Sequence, residues 1–277
     1  MTFPGGTSVS RLSVYSGSPC ADGLEGGTPH LHTASTEAYV VIGGHGTLQT
    51  LDVNGLRETE LSAGTTVWFT PGTIHRAVNR RGLEVVVVMS NAGLPEAGDA
   101  VMTFPPEIVA DPERYRQAAT LPPSPPSGGP LPSGGPLPTG GLPASSTPPE
   151  GLAPGAAGAL RDIEEAVRRR RELAVEGFLR LADAAADGDL APLHRFYDHA
   201  ITLVRPKAAA WRTIWEGTVA EETRRTAGIL DALERGDGAH LRRSALMESP
   251  PHDRWGMCGN LRAHDVAHPI VHTPEPS

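Results

Sequence analysis

Residues 26–46 decide the fold of this chain, and they read GGTPHLHTASTEAYVVIGGHG. Two histidines, His30 and His32, stand two residues apart, and a carboxylate, Glu37, follows five residues later. Alternate side chains of a β-strand point to the same side, so this spacing places both imidazoles on one face. The glycine-rich end of the stretch is typical of a turn between strands.

A second stretch, residues 64–79, reads GTTVWFTPGTIHRAVN and supplies a third histidine, His75, just after a Pro-Gly turn. Three imidazoles and one carboxylate on strands that wrap into one barrel are the outline of a divalent-metal site. This mixed nitrogen and oxygen set suits Fe(II), Mn, Ni or Zn. It also leaves one or two positions open on the metal, which a catalyst requires.

The rest of the first half predicts further strands. Runs of β-branched and aromatic residues alternate with glycine-containing turns, and Asn54-Gly55 is a strong hairpin signal. Many short strands with no long helical pattern predict a sandwich or a closed barrel. The predicted strands are residues 9–15, 39–42, 47–53, 66–69 and 83–89.

Both stretches resemble the two sequence motifs of the cupin superfamily. The first motif is matched by His30, His32, Glu37 and Gly44, and the second by Gly64, residues 71–75 and Asn79. Two positions depart from the motifs, because Thr70 stands in place of a proline and Leu24 in place of a glycine. Neither departure affects a ligand position.

The resemblance covers roughly residues 8–95 and implies an antiparallel jelly-roll barrel with one divalent metal ion in its mouth. The ligands that it carries over are His30, His32, Glu37 and His75. A cupin that keeps its ligands and does no chemistry is also compatible with these motifs, since a fold does not specify a reaction.

Strand parity suggests which other residues line the pocket. If the ligands point inward, Thr28 and Tyr39 do so too, although Tyr39 also fits an ordinary core tyrosine. Trp68 and Phe69 lie on opposite faces, so one of the two points inward. The candidate substrate-binding residues are therefore Thr28, Tyr39 and Trp68. Arg76 points away from the metal and is expected at the surface.

The chain contains 32 glycines and 27 prolines, and 8 of the glycines and 12 of the prolines fall in residues 120–156, where SGGPLP occurs twice in tandem. This composition predicts a disordered linker that divides the chain. We expect a cupin barrel over residues 1–119, a small α-helical bundle or hairpin over residues 157–248, and a His- and Pro-rich tail over residues 249–277.

Apolar residues in the helical half recur at three- and four-residue spacing, and one short helix is predicted for residues 191–204. Phe178, Trp211 and Trp215 are the expected large core residues. The run Arg168–Arg171 cannot lie on one surface of a helix, so Arg170 or Arg171 is expected at a buried seam. The candidate ion-pair partners there are Glu216, Glu221 and Glu222.

Charge and composition exclude several function classes. The 277 residues include 24 basic and 32 acidic ones, a net charge of −8 that disfavours nucleic-acid and membrane binding. Two cysteines cannot form a disulfide framework, and no Walker A or dinucleotide-binding motif occurs. Without a signal peptide or a long apolar run, the chain is expected to be cytoplasmic.

Three functions fit these observations. The first is a metal-dependent enzyme that acts on a small organic molecule, with dioxygenase-like chemistry preferred over isomerisation or epimerisation because few general bases lie near the ligands. The second is a non-catalytic sensor that binds a small ligand and whose helical half mediates protein interaction. The third is an assembly protein whose barrel forms a homodimer.

Overall fold

The structure, a computed structural model, describes residues 3–122 and 154–272. Residues 123–153, the greater part of the predicted linker, lie outside this description. The described chain begins with β-strands, continues with helices and ends with four more strands. Three short 3₁₀ segments, at Pro4–Gly6, Arg205–Lys207 and Ala239–Arg243, lie between these elements.

Seven strands in the first half form the predicted antiparallel barrel sheet. They are β1 (Ser8–Val14), β2 (His30–His32), β3 (Glu37–Asp52), β4 (Gly55–Ser62), β5 (Thr66–Phe69), β6 (Ile74–Met89) and β7 (Ala100–Met102). The long strands β3 and β6 pair along most of their length, with a bulge near Gly43. Two predicted runs merge into β3, because the glycines between them bend the strand at this bulge instead of ending it.

Six helices follow or flank the barrel. They are α1 (Pro106–Val109), α2 (Pro112–Ala119), α3 (Pro154–Ala186), α4 (Ala191–Val204), α5 (Ala208–Gly217) and α6 (Val219–Glu234). The predicted helical half thus contains four helices, and α4 has the predicted bounds. Within the described ranges, no helix combines the length and the apolar character that a membrane crossing requires.

The helices share a hydrophobic core with the outside of the barrel. Phe178 of α3 and Phe196 of α4 are buried together with the barrel residues Leu31 and Ile74. Trp211 also joins this core, whereas Trp215 is 39% exposed, so the prediction of a buried Trp215 was wrong. The helix α5 that carries both tryptophans turns only one of its sides to the core.

Gly177 sets how closely α3 approaches the barrel. A Cβ atom built on this glycine would lie 1.9 Å from the carbonyl oxygen of Thr103. The Thr103 hydroxyl donates to the carbonyl of Ala174, one helical turn earlier, at 2.8 Å. Helix and barrel therefore meet backbone to backbone at this point, which a larger side chain would prevent.

The last strands are β8 (Leu246–Glu248), β9 (Pro251–Trp255), β10 (Gly259–His264) and β11 (Ile270–His272). Strand β10 pairs with β1, from Ser10 opposite Ala263 to Val14 opposite Gly259, and β9 pairs with β10. The segment that we expected to be a tail therefore extends the barrel sheet by two strands. Its pairing covers the edge of β1, which would otherwise be free.

Candidate metal centre

Four side chains from three strands converge inside the barrel. His30 and His32 lie on β2, Glu37 begins β3, and His75 lies on β6, where it is the register partner of His30. All four are buried, and one ligand atom from each lies within 4.8 Å of those of the others. The structure thus brings together the four residues that the sequence predicts as metal ligands.

Each histidine of the cluster is oriented through its Nδ1 atom. Nδ1 of His30 lies 2.8 Å from the carbonyl oxygen of Thr28, and Nδ1 of His75 lies 3.1 Å from that of Thr73. These carbonyls can only accept, so both Nδ1 atoms carry the proton. The Nε2 atoms are thereby left with free lone pairs, which is the tautomer that binds a metal.

His32 is held by a carboxylate that the sequence analysis missed. Asp99, fully buried, accepts from Nδ1 of His32 at 2.6 Å and from the backbone N–H of Ser35 at 3.0 Å. Asp99 directly precedes β7, and β7 pairs with β2 so that Ala100 lies opposite His32. A carboxylate behind a histidine ligand fixes the ring and increases its basicity.

The spacing and the unpartnered atoms of the cluster fit a divalent cation. Oε2 of Glu37 lies 3.0 Å from Nε2 of His75 and 3.1 Å from Nε2 of His32. Oε2 of Glu37 and Nε2 of His75 are nevertheless buried atoms without a hydrogen-bond partner. Buried polar atoms are rarely left without a partner, and three nitrogens with one oxygen are donors that a transition metal or zinc accepts.

Electrostatics also favours a cation at this position. Burial alone would raise the pKa of Glu37, but the neighbouring His75 and His32 hold it well below its usual range. Burial and the nearby histidines lower the pKa of His30, which keeps this ring neutral. Burial would likewise lower the pKa of His32, but the Asp99 carboxylate that accepts from its Nδ1 and the negative charge of the nearby Glu37 raise it to about 10.

Three further side chains pack around the cluster. The ring of Phe69 lies 4.1 Å from that of His75 and meets Tyr39 edge-on at 5.4 Å. The thiol of Cys258, in the loop between β9 and β10, lies 4.0 Å from both the Tyr39 hydroxyl and Nδ1 of His30. Cys258 comes from the C-terminal segment, and its place beside the cluster had no signal in the sequence.

The predicted substrate-binding residues occupy different places. Thr28 and Tyr39 are fully buried behind the ligands, where the Thr28 carbonyl supports His30. Trp68 lies on the outer face and is 70% exposed, whereas Phe69 is the inward residue. The prediction of an inward Trp68 was therefore wrong, because the register of β5 against β3 turns Phe69 to the barrel interior. Neither Trp68 nor Phe69 is among the residues that line the cavity described below.

Arg76 does point away from the cluster, but it is fully buried and not at the surface. Its guanidinium forms an ion pair with Asp22 and donates to the carbonyls of Gly27 and Leu24. The expected surface position was wrong because the loop before β2 covers this side of β6.

A cavity of about 270 Å³ opens next to the cluster. His30, His32 and Glu37 lie on one of its walls. The rest of its lining includes residues of β1, Arg170 of α3, and residues of β9 and β10 with the loop between them, among them Arg254 and Cys258. A small molecule in this cavity would contact both the cluster and the C-terminal part of the chain.

Residues 21–90 match the family model described as the cupin domain. This part of the chain is a cupin domain. The matched range includes all four residues of the cluster but neither Asp99 nor Cys258. A search of curated proteins gave no match.

Solved structures with a similar fold include three from bacteria. Pac13 from Streptomyces, described as a unique nucleoside dehydratase, is 18% identical, with a TM-score of 0.27 over 34% of this chain and 66% of that chain. KdgF from Halomonas is 24% identical, with a TM-score of 0.22 over 24% and 58%. A cupin protein from Bacteroides fragilis is 19% identical, with a TM-score of 0.23 over 31% and 65%. In these three comparisons, this chain spans less than two thirds of the other protein.

Proposed function

We propose that this cupin binds one divalent metal ion through His30, His32, Glu37 and His75 and acts as an enzyme on a small organic molecule. The observation that supports this most is the buried cluster, in which two ligand atoms lack any hydrogen-bond partner. An ion with four protein ligands would supply Lewis-acid or redox chemistry at its open positions. The candidate metals are Fe(II), Mn, Ni and Zn.

The groups beside the cluster favour oxygen chemistry over isomerisation. Isomerisation needs a general base in addition to the metal. Burial raises the pKa of Tyr39 well above its usual range and that of Cys258 to about 12, so both hold their protons at neutral pH. Asp99 is already engaged by His32 and Ser35. Tyr39 and Cys258 can therefore donate a proton, whereas the Asp99 carboxylate is used as an acceptor, and none of the three is a free base.

Nitric oxide binding tests the open coordination positions without knowledge of the substrate. The protein would be loaded with Fe(II) in the absence of oxygen and exposed to nitric oxide. We expect the electron paramagnetic resonance signal of an iron–nitrosyl in the wild type and in His45→Ala, since the His45 side chain is 41% exposed and outside the cluster. His75→Ala should lose the signal. Iron-loaded wild type without this signal would overturn the oxygen chemistry.

A second candidate, a ligand sensor, is favoured by one observation. The cavity wall includes Arg170 of α3 and residues of β9 and β10, so a ligand would touch segments outside the matched cupin range. Turnover distinguishes the two candidates. If the protein is an enzyme, a small molecule that it retains should be chemically changed after incubation with the metal-loaded chain. The sensor predicts that the molecule is recovered intact.

A further inference from the structure

Two buried guanidinium groups lie at the seam between α3 and the barrel. Arg170 is 8% exposed and Arg171 is 4% exposed. Within residues 3–122 and 154–272, neither forms an ion pair, in contrast to the buried Arg76, which is paired with Asp22. The ion pairs predicted with Glu216, Glu221 or Glu222 are therefore not formed. A buried charge is costly unless it is paired or well hydrogen-bonded.

The two arginines differ in how well their charge is compensated. Arg171 donates to the carbonyl of Ser18 at 2.6 Å, and its guanidinium lies 5.5 Å from the centre of the Tyr15 ring. Arg170 donates to the carbonyl of Gly256 at 3.1 Å and, more weakly, to that of Ala119 at 3.5 Å. A guanidinium has five N–H donors. Nε has no partner in either residue. The shorter hydrogen bond and the neighbouring aromatic ring nevertheless compensate the charge of Arg171 better than that of Arg170.

Arg170 also lines the cavity beside the metal cluster. Arg254 of β9 lines the same cavity and is exposed. Apart from the cluster residue Glu37, the acidic side chain that lines this cavity is Glu96, which is exposed and accepts from the backbone N–H of Gly93. The cavity therefore combines a predicted dication with two guanidinium groups, and the buried one, that of Arg170, has no anionic partner among the residues that the structure describes.

We infer that the ligand of this cavity is a small organic carboxylate, whose carboxylate group pairs with Arg170 while Arg254 adds charge at the rim. Arginine binds carboxylates through paired, charge-assisted hydrogen bonds, which are stronger and more selective than those to neutral groups. A volume of about 270 Å³ restricts the ligand to a small molecule. This inference deepens the proposed function and rests on it, because His30, His32 and Glu37 of the cluster line the same cavity.

The test compares malonate with malonamide, its neutral isostere, as ligands of the full chain loaded with zinc. Isothermal titration calorimetry should show saturable binding of malonate and binding of malonamide weaker by about tenfold or more. Arg170→Gln should lose most of this difference. Arg169→Gln is the matched control, because Arg169 is the adjacent residue of the same helix and its side chain is 66% exposed. It should bind malonate like the wild type.

Equal affinities of the wild type for malonate and malonamide would overturn the inference, and so would unchanged malonate binding by Arg170→Gln. If Arg170→Gln does not fold, the comparison of malonate with malonamide in the wild type and the malonate affinity of Arg254→Gln test the inference instead. Arg254→Gln alters an exposed residue and should weaken malonate binding several-fold.

Elemental analysis of the same samples separates this inference from the proposed function. One zinc ion per chain without selectivity for malonate would refute the carboxylate ligand and leave the metal site intact. Selectivity that depends on Arg170 in a chain that holds no zinc would refute the metal-dependent function and retain the anion site.

Discussion

The cavity is lined by two groups of residues, one that a local sequence spacing predicts and one that only long-range contacts bring there. The four predicted metal ligands lie on β2, β3 and β6 and follow a fixed local spacing in the sequence. Arg170 of α3 and several residues between 254 and 264 also line the cavity, which they reach through long-range packing and through the pairing of β10 with β1. Local spacing thus predicts the metal ligands, whereas the rest of the cavity lining depends on contacts between distant segments.

Removal of residues 249–277 is the most drastic test of this comparison. It deletes β9 and β10, leaves the edge of β1 unpaired and removes the buried residues Cys258 and Ala263. We expect a loss of about 3 kcal/mol or more in the free energy of unfolding, measured by chemical denaturation, together with a tendency to aggregate. Removal of residues 273–277 alone is the control and should have no effect. Equal stability of both truncated chains would show that the barrel does not need the C-terminal strands.

The seam between α3 and the barrel is tested by Gly177→Ala. The added Cβ would collide with the carbonyl oxygen of Thr103, so we expect a destabilisation of about 2 kcal/mol or more. Gly228→Ala, in α6, is a matched control, because nothing lies within 4 Å of its Cβ position. It should stabilise the protein by about 0.5–1 kcal/mol through helix propensity. Similar effects of both substitutions on thermal unfolding would contradict the close approach of helix and barrel.

Asp99→Asn tests the side chain beyond the cupin motifs that accepts from the ligand His32. Loss of the negative charge behind His32 should weaken metal binding by about 10–100-fold, measured by competition with a chelator. The control is Asp111→Asn, because Asp111 caps α2 far from the cluster and asparagine caps a helix equally well. If both variants bind metal like the wild type, Asp99 does not tune the site.

The smallest effect is expected for Cys258→Ala. The thiol lies beside Nδ1 of His30, the atom that faces the Thr28 carbonyl, so Cys258 is not among the grouped ligands. We expect an unchanged metal content and a cost of about 1 kcal/mol in stability from the small cavity that is left. A loss of metal from this variant, but not from Cys20→Ala, would add Cys258 to the ligand set.

Much of the barrel and the placement of the four cluster residues could be predicted from the sequence. Strand β5 and helix α4 have the predicted bounds, because alternation and three-four spacing are local signals. The His-x-His spacing placed two side chains on one face without any knowledge of the neighbouring strands. The choice between Trp68 and Phe69 failed, since parity alone does not say which face is the inner one. The expected surface position of Arg76 failed because a neighbouring loop covers it.

The parts that could not be predicted depend on pairing between distant segments. Asp99 reaches His32 because the three-residue strand β7 pairs with β2, and so short a strand has no detectable periodicity. Residues 251–264 contain few β-branched residues, so their strands form through pairing with β1 instead of through local propensity. The burial of Arg170 was expected from helix geometry, but its acceptor, the carbonyl of Gly256, comes from a distant segment and could not be predicted.

The metal content of the full chain tests the central claim most directly. Elemental analysis of the wild type, purified from its own host, should give one divalent ion per chain. His75→Ala should lose nearly all of this metal, because it removes a buried ligand, whereas His45→Ala should retain it, because His45 lies outside the cluster. A wild type without metal, or equal metal contents of the two variants, would contradict the account.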